Sequence, residues 1–257
     1  MCPQHRTETL GLIRAALAEN RPCRVVSTTL VEAGVDLDFP VVYRAEAGLD
    51  SIAQAAGRCN REGRHESGSV YIFEPEAGLP PGVFRRSAQA GQSVAQRHEA
   101  DLLHPDAVHD YFLELYWRTG LKDLDAKDIV IRTGAAAASC LFPFREIERD
   151  FQLIDTPTQG LIIPYDDTAR DLVCRLRALE PGQRVGGLMR RLQRHTVSLY
   201  ARDFARLEQA GAIGPVSSTG PGAQVYELAN MGLYDPQVGL DLHRAAPGVH
   251  APEDLVC

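Results

Sequence analysis

The sequence predicts an α/β fold: part of a domain with a parallel sheet near the start of the chain, then a helical linker, then a small α+β domain at the end. Three observations lead there. Apolar, β-branched runs occur at 24–28 (RVVST), 41–45 (VVYRA) and 67–75 (SGSVYIFEP). A glycine-bearing turn (29–40, TLVEAGVDLDFP) separates the first two, and a helical stretch (48–64, GLDSIAQAAGRCNREGR) separates the last two. From residue 144 onward, short strand-like and helix-like segments intermix. An apolar run, a polar turn with an acid two places after a glycine, and a second apolar run place polar loops at the carboxyl ends of parallel strands. Function is sought in such loops.

The elements follow in order. Residues 5–19 put Leu10, Ile13 and Leu17 on one side of a helix that Asn20, Arg21 and Pro22 end. The strands and helix of 24–75 come next, and then 76–87 (EAGLPPGVFRRS) reads as a turn-rich linker. Two helices are predicted over 88–103 and 106–118, parted near His104 and Pro105, followed by a small-residue segment at 133–147. In the terminal module, GLIIPY (160–165) predicts a strand, 168–180 a helix, and 188–211 a helix or broken helix pair. The segment 144–155 alternates towards its end, and VYELA (225–229) and VGLDL (238–242) are candidates to complete a small sheet. The tail after Ala246 reads as disordered. The division is therefore 1–76, 77–143 and 144–257.

Composition narrows the function. A chain of 257 residues, 44% hydrophobic, is long enough for a sizeable core. A net charge of −7 offers nucleic acid no overall attraction, so any such contact needs a local basic patch. Six cysteines without a C-x-x-C pair argue against a zinc knuckle and a secreted disulfide framework, and point to a reducing compartment. No run of 18 apolar residues and no charged-then-apolar leader is present, so the expectation is a cytoplasmic protein without a membrane partner.

Within the loops, Arg58 and Arg61 lie three apart, so a continuous helix would turn both guanidiniums to one side, with Gln54 a turn earlier. Two convergent arginines suit an anionic, phosphate-sized ligand, although surface arginines at a helix C-terminus read the same way. Asp36 fits a ligand site or an ordinary turn. Arg190, Arg191 and Arg194 fall in a basic stretch that fits either a nucleic-acid backbone contact or the solvated face of an amphipathic helix.

The stretches STTLVEAGVDLDFP and QAAGRCNREG resemble motifs V and VI of superfamily-2 helicases. With VVYRAEAGLDSIAQ between them, they are similar to the CRISPR-associated helicase-nuclease of type I systems. Weaker likeness continues through FREIERDFQLID, LMRRLQRHTVSLYARDF and NMGLYDPQVGL. The resemblance implies part of the second RecA-like lobe, with Arg58 and Arg61 as arginine fingers. It puts Gln54, Gly34 and Asp36 on the nucleotide side, and Ser27 and Thr28 on a nucleic-acid phosphate. It also implies partners: single-stranded DNA, an N-terminal helicase/nuclease part and an RNA-guided surveillance complex. A complete lobe carries further strands before residue 24, so the start of this chain reads as the middle of a domain whose sheet edge is left open. His109–Asp110 is not assigned to the family's nuclease, which precedes the helicase lobes. Neither a G-x-x-x-x-G-K-[ST] phosphate loop nor a D-E-x-H-like strand end occurs. ATP and magnesium are thus expected to be held mainly elsewhere, and the chain alone is not expected to hydrolyse ATP.

Overall fold

The apolar runs at 41–45 and 69–73 pair with each other, and the helix between them turns its apolar face inward. These elements belong to a computed structural model describing residues 1–32, 34–98, 101–151, 157–180, 183–217 and 224–244. The chain packs as two units: residues 16–152, and residues 1–15 together with those after 152.

In the first unit, β1 (Val41–Ala45) and β2 (Ser69–Phe73) are parallel, with Tyr43 opposite Tyr71. The crossover contains α2 (Leu49–Ala56), which buries Leu49, Ile52 and Ala55. Parallel pairing needs such a crossover, because a tight hairpin can only reverse the chain. Helices α3 (Val83–Ala95) and α4 (Pro105–Thr119) close over α2, and Leu49, Ala90, Val94, Ala107 and Tyr111 form their shared core. Gly48, before α2, leaves room for the Tyr111 hydroxyl, which donates to Asp50 Oδ1 at 2.7 Å. Short helices α5 (Leu121–Leu124), α6 (Ile129–Ala137) and α7 (Phe144–Asp150) follow, with Arg132 paired to Asp150 at 3.0 Å.

Two expectations fail in this unit. Residues 24–28 form no strand, and Val26 is fully exposed. A strand requires a neighbour to take its backbone hydrogen bonds, and among the described residues no strand pairs with this run. The helix predicted to reach residue 64 ends at Ala56. Gly57 caps it, and Asn60 adopts a positive φ of 47°, which a continuing helix cannot accommodate.

In the second unit, β3 (Thr158–Ile162), β4 (Thr196–Tyr200), β5 (Ile213–Ser217) and β6 (Val225–Leu228) form one sheet in the order β4-β3-β6-β5. Only the β3–β6 contact is parallel. The period of two divides its core. Leu161 and Ile163 meet Phe204 and Leu207 of α10 (Ala201–Gln209) on one face. Ile162 meets Leu172 and Leu176 of α8 (Asp167–Arg177), and Leu192 of α9 (Gly186–Leu192), on the other. Asp166 caps α8 by accepting from the Ala169 amide at 2.7 Å, and also bonds His195 Nε2 at 3.1 Å.

The continuous or broken helix predicted at 188–211 is instead α9, a 3-10 turn at Gln193–His195, β4 and α10. The run TVSLY is apolar at both helical and strand spacing, and pairing along the length of β3 decides for the strand. Val225–Leu228 joins the sheet as expected. Gly239–Leu240 does not: as β8 it makes a separate hairpin with β7 (Tyr234–Asp235). Helix α1 (Pro3–Ala18) starts in this unit, where His5 stacks on Tyr165 with ring centroids 4.4 Å apart and Cys2 N donates to Tyr234 Oη at 2.9 Å. The end of the alternating segment at 152–155 and the tail after Ala246 lie outside the described residues.

Candidate functional site

The two glycine-bearing turns of the first unit meet. Phe39 donates its amide to the Arg58 carbonyl at 2.9 Å, and the Asn60 amide returns to the Phe39 carbonyl at 2.8 Å. This parallel bridge, Phe39 opposite Cys59, fastens the segment after α2 beside the segment before β1. Asn60 holds its own turn closed: its side chain donates to the His65 carbonyl at 2.8 Å and accepts from the His65 amide at 2.9 Å. This pair of hydrogen bonds supports the left-handed backbone at Asn60, a conformation this short polar side chain tolerates.

Both arginines of the pair turn towards the 32–38 segment, and each reaches a different group. Arg61 Nη1 lies 2.7 Å from Asp36 Oδ1, while its amide donates to Asp38 Oδ1 at 2.7 Å. Arg58 Nη2 donates to the Glu32 carbonyl at 2.6 Å. Because the helix has ended, the arginines leave from a turn, and the three-residue spacing does not put them on one helical face. The Arg61–Asp36 pair is open to water, with side chains 44% and 73% exposed. It is weak for that reason, about 0–1 kcal/mol, and leaves Arg61 available to another anion.

Gly34 adopts a φ of +72° with open space where a Cβ would stand, so this turn presents bare backbone. Ser27 and Thr28 are exposed at its start; Ser27 Oγ donates to the Thr28 carbonyl at 3.1 Å, and Thr28 makes no side-chain bond to the 3-10 turn at Thr29–Val31. Gln54 is exposed on α2.

Three participants were not anticipated from the sequence. Glu32 Oε1 pairs with Arg44 Nη2 at 3.0 Å, Ser51 donates to Glu32 Oε2 at 2.8 Å, and Arg44 Nη2 donates to Ser51 at 2.8 Å. The signal was present: an arginine in the middle of the β-branched run VVYRA calls for a buried acid. Cys59 stands at the edge of the same turn, where burial pushes its thiol up and its Sγ donates to the Ser69 carbonyl at 3.4 Å.

In the second unit, Arg190 and Arg191 occupy the last turn of α9, and Arg194 the 3-10 turn after it. All three are exposed, and among the described residues none has an acid partner. Strand β4 then separates them from Arg202 and Arg206 on α10, so the arginines of 190–206 are not one helical face. The pair suggested by His109–Asp110 divides differently. Asp110 bonds His98 Nε2 at 2.9 Å, which holds its carboxyl below the usual range. Among the described residues no group of three His, Cys, Asp or Glu is arranged to hold a metal ion, and no helix is long and apolar enough to cross a membrane.

Comparison with known proteins shows what the chain is similar to. Residues 2–64 match the family described as CRISPR-associated nuclease/helicase Cas3, C-terminal. This segment resembles Cas3 C-terminal sequence. A Cas3 of Haloferax volcanii is 50% identical over 54 residues, which is 20% of this chain and 6% of that protein. A Cas3 of Methanothermobacter thermautotrophicus is 25% identical over 114 residues, 42% of this chain and 13% of the relative. The crystal structure of T. fusca Cas3-AMPPNP has a TM-score of 0.51 at 16% identity, covering 93% of this chain and 34% of that one. The chain therefore shares a mixed α/β fold with a part of Cas3, and it spans only a small share of its curated Cas3 relatives.

Proposed function

We propose that this chain is the C-terminal portion of an ATP-dependent single-stranded DNA translocase coupled to a nuclease in type I CRISPR interference, acting in the cytoplasm. Within that assembly Arg58 and Arg61 form the arginine side of the ATP site, with Gln54, Gly34 and Asp36 beside them. Ser27 and Thr28 contact a DNA phosphate, and Arg190, Arg191 and Arg194 add a backbone contact from the terminal domain. The single observation carrying this reading is the 2.7 Å meeting of Arg61 with Asp36, which joins the two helicase-like motifs in one place.

The chemistry follows from charge. During phosphoryl transfer, negative charge spreads over the γ-phosphoryl oxygens, and a guanidinium delivered from outside the phosphate cradle stabilises it. Arg61 is suited to that task because the ion pair holding its guanidinium is exposed. ATP and magnesium supply the reacting phosphate and its charge neutralisation; the N-terminal helicase/nuclease part would hold them, since this sequence has no phosphate loop. The surface for that partner is the open face of the two-stranded sheet, where Val41, Tyr43, Tyr71 and Phe73 are all exposed and the two tyrosines stack at 5.1 Å. A parallel pair of strands is ordinarily covered on both faces. Mixing the chain with its N-terminal half and measuring DNA-stimulated ATP turnover tests the proposal. A second reading, a non-catalytic DNA- or protein-binding fragment or regulatory subunit, draws on the same exposed sheet face and on arginines without an acid partner among the described residues. It predicts binding without turnover in that mixture.

A further inference from the structure

Glu32 is tied in three directions at once. Its backbone carbonyl receives Arg58, and its carboxylate receives both Arg44 of β1 and Ser51 of α2. The carboxylate and the Arg44 side chain are only 12% and 20% exposed. Around them, the Nε atoms of Arg44 and Arg58 are buried with no acceptor among the described residues. Withdrawing an ion pair from water and leaving two buried donors unmatched both oppose folding, and apolar side chains of similar volume are often no less stable in such a place. Stability alone does not account for the arrangement. What it provides is a fixed geometry: the backbone at Glu32 cannot shift without moving Arg58, β1 and α2 together.

We infer that Glu32 is a positioning residue that locks the turn bearing Ser27, Thr28 and Gly34 to the turn bearing Arg58 and Arg61, so that occupancy of one turn is felt at the other. The assignment of the first turn to DNA and the second to ATP rests on the function proposed above. The lock also divides the labour of the two arginines. Arg58, engaged with a backbone carbonyl, is the strut; Arg61, held by an exposed carboxylate, is the arm that moves. Coupling of this kind needs a contiguous physical connection with a definite geometry, and the Glu32 network is one.

The test uses the chain reconstituted with its N-terminal half, reading the ratio of ATP turnover with saturating single-stranded DNA to turnover without it. Glu32→Gln keeps the shape and removes the charge; it is expected to lower that ratio about 10-fold, within the range of coupling between sites. Ser51→Ala, a milder change that spares the ion pair, lowers the ratio less. A ratio unchanged in both variants, while Arg61→Ala abolishes turnover, overturns the inference and leaves the proposed function standing. Turnover unaffected by Arg61→Ala overturns the proposed function instead. A second arm needs only this chain. In Glu32→Gln the amides of Phe39, Asn60 and Arg61, which bond across the two turns, are expected to exchange with solvent about 10-fold faster. Unaltered protection there contradicts the lock itself.

Discussion

Arg61 and Asp36 meet at 2.7 Å in the open, whereas Glu32 and Arg44 meet at 3.0 Å under cover. The two ion pairs flank the same turn and should respond unequally to loss of the acid. Asp36→Asn is expected to change the stability of the chain by no more than about 1 kcal/mol, since an exposed pair contributes little. Glu32→Ala strands a largely buried guanidinium and is expected to cost about 3 kcal/mol. Denaturant unfolding of both variants gives the comparison; equal losses would mean that the burial difference carries no weight.

The arginines at 190, 191 and 194 have no acid partner among the described residues, so their charge is available to a polyanion. Replacing all three with glutamate is expected to weaken single-stranded DNA binding by the reconstituted protein and flatten its dependence on salt, because each phosphate contact contributes to that slope. Basal ATP turnover should not fall. Binding isotherms at several salt concentrations decide the matter, and the parent's affinity and slope in the triple variant would reduce these residues to a solvated surface.

His5 is enclosed by Tyr165, Tyr234 and the Pro236 carbonyl, with Glu8 and the N-terminal amine nearby. Burial is the largest influence and holds its imidazole below the ordinary 6.5, against the opposing effect of the Pro236 carbonyl. In the window just below 6.5 the unfolded chain therefore binds the proton that the folded chain refuses. Stability is full above 6.5 and declines as pH falls through the folded value. Thermal melts at about pH 7.5 and about pH 5.5 should show a lower Tm in acid, and His5→Gln should diminish that difference. A difference equally large in the variant would assign it to other groups.

Tyr43 and Tyr71 stack on the uncovered sheet face, and aromatic residues at the centre of an interface carry a large part of its binding energy. The double substitution Tyr43→Ser and Tyr71→Ser is expected to raise the Kd for the N-terminal half by about 10-fold or more while the chain stays folded. Titration calorimetry of that pair provides the check, and an unchanged Kd would move the interface elsewhere.

The sequence made the parallel strands at 41–45 and 69–73 legible because β-branched runs bounded by glycine and acid have few other uses. It misplaced the strand at 24–28, whose apolar pattern is suitable but which has no neighbouring strand among the described residues; pattern alone cannot supply hydrogen-bond partners. It extended α2 past Gly57 because glycine and asparagine within a helical pattern are only weak stops until Asn60 closes its loop on His65. The segment 188–211 was ambiguous by periodicity, and pairing with β3 settled it. Arg58, Arg61 and Asp36 were singled out by motif resemblance, and they lie on adjoining turns. The Glu32 network was missed since a salt bridge between residues 32 and 44 leaves no local period to detect.

The most direct test is phosphate release by three samples: the chain alone, the N-terminal half alone, and their mixture, each with and without single-stranded DNA. DNA-dependent turnover is expected in the mixture only, falling by about 10³-fold with Arg61→Ala, the scale of an arginine finger, while DNA binding is retained. Steady turnover by the chain alone, or a mixture whose rate ignores Arg61→Ala, would contradict it.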